Sequence, residues 1–428
     1  MLCLVLQVAV RYLGVVEGAD VLLGENWFST WGGAGPESPR RMVVDGGAVY
    51  AVGRTASTAP GGSSVFLLKY DLGGEMVWNV TWGDPGYAWP NELAVVDGSI
   101  YITGAALTSE EKPDIFLLRY DAEGRLVWSA TWGGQSWGET PSSDEGYDVE
   151  VFGDYVYVVG TTTHNASSTN EQDVLLLKYD SEGQLVWQRN YGKASTYEYG
   201  RCLEVVGNGL VFAGSLLEVE SATERSAWVL LGGLDADGEL AWNATVGDAY
   251  DGVTLKGMVQ DGESIYVAGS ANADRVASAF VMCVDHEGGL RWVEAWPEGE
   301  TQGGMEVIDG RLYLVGQAWT GLRDQDVVAY VVDLDGSDPF STTWTRDGNQ
   351  TGWDISVVGD SLFLLGQTSE KGETDIYLAS VQILFQVEVG ARGSSLISGS
   401  HLALLLVGVV LASLLVSRSR WGVGHLRG

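Results

Sequence analysis

Aromatic rings recur beside carboxylates along this sequence. Tyr87 and Trp89 precede Glu92; Trp137 lies with Glu139, Asp144 and Glu145; Tyr197 and Tyr199 flank Glu198; Tyr250 sits between Asp248 and Asp251; Trp353 adjoins Asp354. Exposed rings of this kind suit the flat face of a sugar, a cationic group or a peptide, and neighbouring acids add polar contacts. A second pattern is "DLDGSD" at 333–338, where Asp333, Asp335 and Asp338 are spaced closely enough to offer oxygen ligands to calcium. It lacks the distal glutamate of an EF-hand loop, so a hairpin turn is the competing reading. No P-loop, G-x-S-x-G or H-E-x-x-H signature is present. His164 and His286 are the only histidines between residues 20 and 390, which disfavours histidine-based catalysis. Cys3, Cys202 and Cys283 include no C-x-x-C pair, which disfavours a thiolate zinc site, and Cys202 and Cys283 can pair only if the fold brings them together.

Such residues need elements to position them, and the chain repeats one unit. Tryptophans in equivalent contexts fall at Trp27, Trp78, Trp128, Trp187, Trp242, Trp292 and Trp344, with spacings of 51, 50, 59, 55, 50 and 52. The unit at 147–192 reads as four strands: A "YDVEVF", B "YVYVVGTT", C "DVLLLKYD" and D "QLVWQRNY", rich in Val, Leu, Tyr and Trp and bounded by Gly, Asp and Asn. Strands B and C are apolar on both faces, as in a sheet sandwiched between two neighbours. Seven four-stranded units about 50 residues apart predict a seven-bladed β-propeller. Residues 25–33, "ENWFSTWGG", match a D strand alone, whereas the last unit has only A, B and C. The reading is therefore all-β, with 25–32 completing the blade formed by 353–382, which hides the sheet edges.

These units resemble the SBBP-type repeats of seven-bladed propellers. The resemblance rests on an Asp-led apolar strand, a D-x-x-G turn, a Trp strand ending in Gly-Gly and a D-G-x-x-Y-V-x-G-like hairpin, seen in "DIFLLRYDAEGRLVWSATWGG" (114–134) and "EVFGDYVYVVG" (150–160). It covers about residues 25–382. The units at 228–242 and 326–344 depart from it, one losing the Lys-Tyr and the other enlarging the turn. The resemblance implies the fold and an extracellular setting. Quinoprotein propellers carry a similar turn-then-Trp motif with an additional Thr that is absent here. Sialidase-type Asp boxes set Gly two residues after Asp, whereas Asp121 and Gly124 are three apart.

Antiparallel order puts the short A–B and C–D turns on one face and the long, variable B–C and D–A loops on the other. Variable loops on a rigid scaffold are where binding concentrates, and the aromatic–acid pairs fall in the D–A segments. At the C-terminus, residues 396–417 include no Asp, Glu, Lys or Arg and match the length of a membrane-spanning helix. The basic residues of 418–428 then place that end in the cytoplasm and the propeller outside. Residues 383–395 read as a linker. Residues 1–24 begin with an apolar stretch like the core of a secretory signal, without its basic start. Sequons at Asn79, Asn165, Asn243 and Asn349 permit glycosylation there. A net charge of −33 disfavours nucleic acid as a partner, favours a soluble monomeric ring and could attract cations. No carboxylate pair is singled out as acid and base. The chain is therefore expected to be a membrane-anchored recognition or structural module with a glycan or protein ligand and no obligate cofactor. The alternative is an extracellular enzyme acting on polysaccharide, or a quinoprotein-like enzyme.

Overall fold

The computed structural model describes residues 20–398, apart from 58–61, 84–86, 108–111, 135–142, 164–170, 194, 220–224, 236, 274–275, 298–299, 320–324, 345–348, 360, 371–372 and 389–393. Seven antiparallel sheets follow one another along the chain, each ordered A-B-C-D. Blade 3 is typical: Asp144–Phe152, Tyr155–Thr163, Gln172–Asp180 and Leu185–Tyr191. The final blade takes its A, B and C strands from Asn349–Val358, Ser361–Glu370 and Glu373–Glu388 and its D strand from Asp20–Trp31. Trp27 there faces Ser380 and Trp31 faces Ile376, so the ring closes as the unequal ends of the repeat predict.

The B and C strands are buried because each sheet lies between two others. In blade 1, Tyr50, Val52, Val65 and Leu67 pack on Ile100, Ile102, Phe116 and Leu118 of blade 2. The alternate residues Val49, Ala51, Phe66 and Leu68 pack on Phe363, Leu365, Ile376 and Leu378 of blade 7. Both faces are apolar for this reason, and each fully buried Leu, Ile or Phe contributes about 1.5–3 kcal/mol.

The repeated C–D turn links neighbouring blades. In "YDAEGRLVW" the Asp121 side chain accepts the N–H groups of Glu123 and Arg125 at 3.1 and 2.9 Å, and the Gly124 N–H donates to the Asp121 carbonyl at 3.0 Å. Gly124 has φ +77°, and the Trp78 ring of the preceding blade lies against it. The indole N–H of Trp128 donates in turn to Ser181 O of the next turn at 3.0 Å, beside Gly183. Trp27 and Trp292 make the same contact to Leu72 O and Leu334 O. "DLDGSD" is another copy of this turn: the Asp333 N–H bonds Ser337 O, the Gly336 N–H bonds Asp333 O, and Asp333 pairs with Arg311 at 2.7 Å. Asp335 accepts from Ser337, and Asp338 is exposed. No group of three metal-ligating side chains occurs among the described residues. The stretch thus forms a hairpin turn, and its three carboxylates are not gathered into one group.

The inner strands begin earlier than the sequence pattern suggests, at Asp144 rather than Tyr147 in blade 3. Toward the C-terminus, strand Glu373–Glu388 runs into the segment read as linker, and Ser394–Ser398 pairs with it. The start of the expected span at 396–398 is thus strand, and its remainder lies outside the described residues. Among the described residues no helix is long and apolar enough to cross a membrane. Cys202 and Cys283 are both buried and free.

The latch predicts unequal costs for two glycines. Gly153 has φ +62° with open space around it, whereas a Cβ on Gly183 (φ +80°) would lie 2.8 Å from Trp128. Gly153→Ala should cost about 1–2 kcal/mol from the left-handed backbone alone, and Gly183→Ala about 1–3 kcal/mol more. Urea unfolding of both variants measures the difference; equal losses would remove the latch from the account.

Candidate functional site

The seven A strands line the central channel, and each carries an extra residue. The register shifts across Arg40, Asn91, Tyr147, Arg201, Lys256 and Trp353 in six blades, and blade 6 shifts twice between Thr301 and Met305. Such a bulge breaks the two-residue alternation and re-aims the side chains that follow. The next residues around the ring are Arg41, Glu92, Asp148, Cys202, Gly257, Gly303 and Asp354.

Arg41 crosses the channel. Its Nε donates to Glu92 of blade 2 at 2.6 Å, one terminal nitrogen donates to the Lys256 carbonyl of blade 5 at 2.7 Å, and the other lies 3.8 Å from Asp354 of blade 7. A Cβ on Gly303 would come within 2.8 Å of that guanidinium, so a bare backbone at this point makes room for it. Burial alone would lower the Arg41 pKa; Glu92 and Asp354 outweigh it and raise it.

The acids serve the inner strand edges. The innermost strand of a blade has no partner on the channel side, so its inward N–H groups need acceptors. Asp354 accepts from its own blade at Ile355 N (2.9 Å) and from blade 1 at Met42 N (2.6 Å). Asp148 likewise accepts from Val149 N and from Leu203 N of blade 4, both at 2.7 Å. Glu306 accepts from Val357 N of blade 7 at 2.5 Å.

On the A–B side of Arg41 lies a cavity of about 390 Å³ lined by Val43, Ala94, Glu150, Met258, Glu306 and Ser356, among others. Burial pushes the Glu150 carboxyl up to about 8, helped by Glu204 and Glu92, and lifts Glu204 to about 8, helped by Asp148. Asp354 rises to about 7 through burial, partly offset by Arg41. Asp148 is also raised well above the carboxylate range by burial and by Glu92.

On the other side of Arg41, toward the D–A loops, the bulge residues and those just before them occupy equivalent positions around the ring, here called the bowl. Arg40 stacks on Trp353 with its guanidinium carbon 5.0 Å from the ring centre, and Arg201 lies 3.7 Å over Tyr147 and 5.8 Å from Tyr199. Glu145 accepts from the Trp89 indole at 3.0 Å and from Asn91 at 2.9 Å on one oxygen, and from the Tyr147 hydroxyl at 2.7 Å on the other.

Of the residues singled out in the sequence, Trp89, Tyr199 and Trp353 belong to this bowl, and Glu92 and Asp354 belong to the channel beneath it. They lie in A strands, not in loops, because the strands continue past the bulge. Asp144 is fully buried; it accepts from Thr162 at 2.5 Å and from Gly134 N at 2.7 Å, and so anchors the start of its strand. Glu198 holds Thr196 and Lys193 N in the same way. Tyr87 is 50% exposed on its loop, Tyr197 is half-buried, Tyr250 closes a D strand and Asp251 is exposed. Asn79 and Asn243 are exposed on D strands, and Asn349 is half-buried. Trp137, Glu139 and Asn165 lie outside the described residues. Sequence reasoning did not single out Arg40, Arg41, Asp148, Glu150, Arg201, Glu204 and Glu306. The signal available was a charge inside a strand that is otherwise apolar, as in "YDVEVF".

No family model and no curated protein matches the sequence. Solved structures with a similar fold include the β-propeller domain of the Trilobed protease from Pyrococcus furiosus (11% identity, TM-score 0.46, covering 84% of this chain and 96% of that one). Polysaccharide lyase Uly1 is similar at 10% identity and TM-score 0.46, covering 87% and 94%, and phage phi92 endosialidase at 9% and 0.46, covering 91% and 74%. The seven-bladed ring itself is established by the sheet order described above.

The buried glutamates predict a pH dependence. In the folded chain Glu150 and Glu204 keep their protons up to about pH 8, whereas an unfolded glutamate loses its proton near about pH 4.3. The folded state binds more protons between those values, so stability falls as pH rises from about 4.5 to 8. The double variant Glu150→Gln, Glu204→Gln should show a shallower fall in melting temperature over that range than the parent. Identical slopes would contradict the assigned protonation.

Proposed function

We propose that this chain is a recognition module that binds its ligand in the bowl on the D–A face and is held at the outer side of a membrane by its C-terminal segment. The observation that carries the binding reading is the bowl: Trp89, Tyr147, Tyr199 and Trp353 gather on the D–A side of Arg41, with Arg40 and Arg201 placed over two of the rings. Stacked guanidiniums and aromatic faces held by a rigid scaffold offer contact area at low entropic cost. The SBBP-like motifs and the charge-free stretch at 396–417 support the extracellular, anchored setting.

A second reading has its own support. Glu150, protonated near neutrality at the wall of the cavity and within electrostatic reach of Glu204, is in the state a general acid requires. This favours an extracellular enzyme, with polysaccharide as its substrate class.

A glycan and peptide array probed with the purified protein separates the two. Binding without turnover, weakened at least about tenfold by Tyr199→Ala with Trp353→Ala, is the expected result. Hydrolysis or elimination of a bound glycan that is lost in Glu150→Gln would favour the enzyme. The topology is checked on intact cells, where external protease should remove the propeller and leave the C-terminal tail protected; a protected propeller would reverse the orientation.

A further inference from the structure

We infer that the bowl takes a sugar carrying a carboxylate or a sulfate; this rests on the proposed binding role of the D–A face. The chain holds 57 acids against 24 Lys and Arg, yet the bulge positions around the bowl are Arg40, Asn91, Tyr147, Arg201, Lys256 and Trp353 in the six blades where a single residue is added. Each of these side chains carries an N–H or O–H donor and none is a carboxylate.

The neighbouring acid satisfies only some of them. Glu145 is occupied by Trp89, Asn91 and Tyr147. Among the described residues neither Arg40 nor Arg201 forms an ion pair. The Nε of Arg40 and the Nε1 of Trp353 are buried with no hydrogen-bond partner, and these two side chains stack on each other. Buried donors without acceptors are rare and costly to leave so. In a chain with this excess of acid, two half-buried arginines without carboxylate partners mark where an external acceptor belongs. Burial lowers the Arg40 pKa, the nearby Arg54 guanidinium lowers it further, and Glu145 offsets part of this without forming an ion pair.

The ligand's remaining chemistry follows from the same ring. A peptide backbone would bring N–H donors that need acceptors, and Glu145 already accepts three hydrogen bonds. A sugar can accept through every hydroxyl and lay its flat face on an aromatic ring. The guanidiniums, held against Trp353 and Tyr147, present forks that match a carboxylate or sulfate. Arg41 reaches across the channel to blades 2 and 5, which favours a ring seated on the D–A face over a strand threaded through the channel.

The test uses the full chain in detergent and titration calorimetry with four probes: a galacturonate trisaccharide, a sulfated galactose trisaccharide, an uncharged galactose trisaccharide and hexaglutamate. The expected result is binding of one or both charged sugars, reduced about tenfold or more by Arg40→Met or Arg201→Met and weakened by added salt. The two charged arms show which oxyanion is preferred. Trp353→Phe, which keeps the ring and deletes the unpaired N–H, should also weaken binding several-fold. Melting temperatures within a few degrees of the parent confirm that the variants are folded. Equal binding of the uncharged sugar, binding of hexaglutamate alone, or charged-sugar binding unaffected by all three variants would overturn this inference while leaving a recognition role standing. No binding to these probes, together with an array blank for every glycan and peptide, would overturn both.

Discussion

Seven sheet edges converge on one axis, and the inward N–H groups along them have no strand partner to satisfy them. Asp148, Asp354 and Glu306 meet that need, each accepting a backbone N–H from the neighbouring blade. This constraint puts carboxylates into a channel that burial would otherwise keep apolar. It also explains why burial raises their pKa values above the usual carboxylate range: the positions are chosen by hydrogen bonding, and desolvation acts on whatever charge is placed there. Arg41 follows from the same constraint. One cation among these acids reaches blades 2, 5 and 7 at once and divides the channel into a bowl and a cavity.

The outer part of the ring solves a different problem with one repeated device. Six of the seven D strands leave a Trp at the rim, and the C–D turn of the next blade receives it on a glycine with positive φ; in blade 6 the register puts Phe340 at that position, and Trp344, which the sequence spacing groups with the others, is buried instead. Because each blade contacts only its neighbours, the same contact can be used around the ring. The Asp20–Trp31 strand supplies it across the junction of the two ends of the ring, where Trp27 donates to Leu72 O of blade 1. Repetition here is a sign of structure. The bowl is the opposite case: its six single-bulge positions are equivalent in the fold and carry different side chains, which is what a site requires of a symmetric scaffold.

How much of this could be read in advance differs by level. The period of the tryptophans, the two-sided apolar B and C strands and the spare D strand made the ring and its closure legible. The site was legible only in part. Trp89, Tyr199 and Trp353 stood out as aromatics beside acids, but they read as loop residues because the bulge interrupts alternation before the strand begins to look regular. Asp148 and Glu150 were in plain view in "YDVEVF", yet on an acidic chain two more carboxylates carry no signal without knowledge of which way they point.

The sequence by itself determined the number of blades, the strand order and the strand that closes the ring, because apolar periodicity and turn chemistry are local and repeat. Only the tertiary structure decided which charges meet. Arg41 and Lys256 are 215 residues apart, and Met42 and Asp354 are 312 apart. Their contact depends on the radius of the closed ring and on a one-residue bulge in each inner strand, and neither quantity is written in any single repeat.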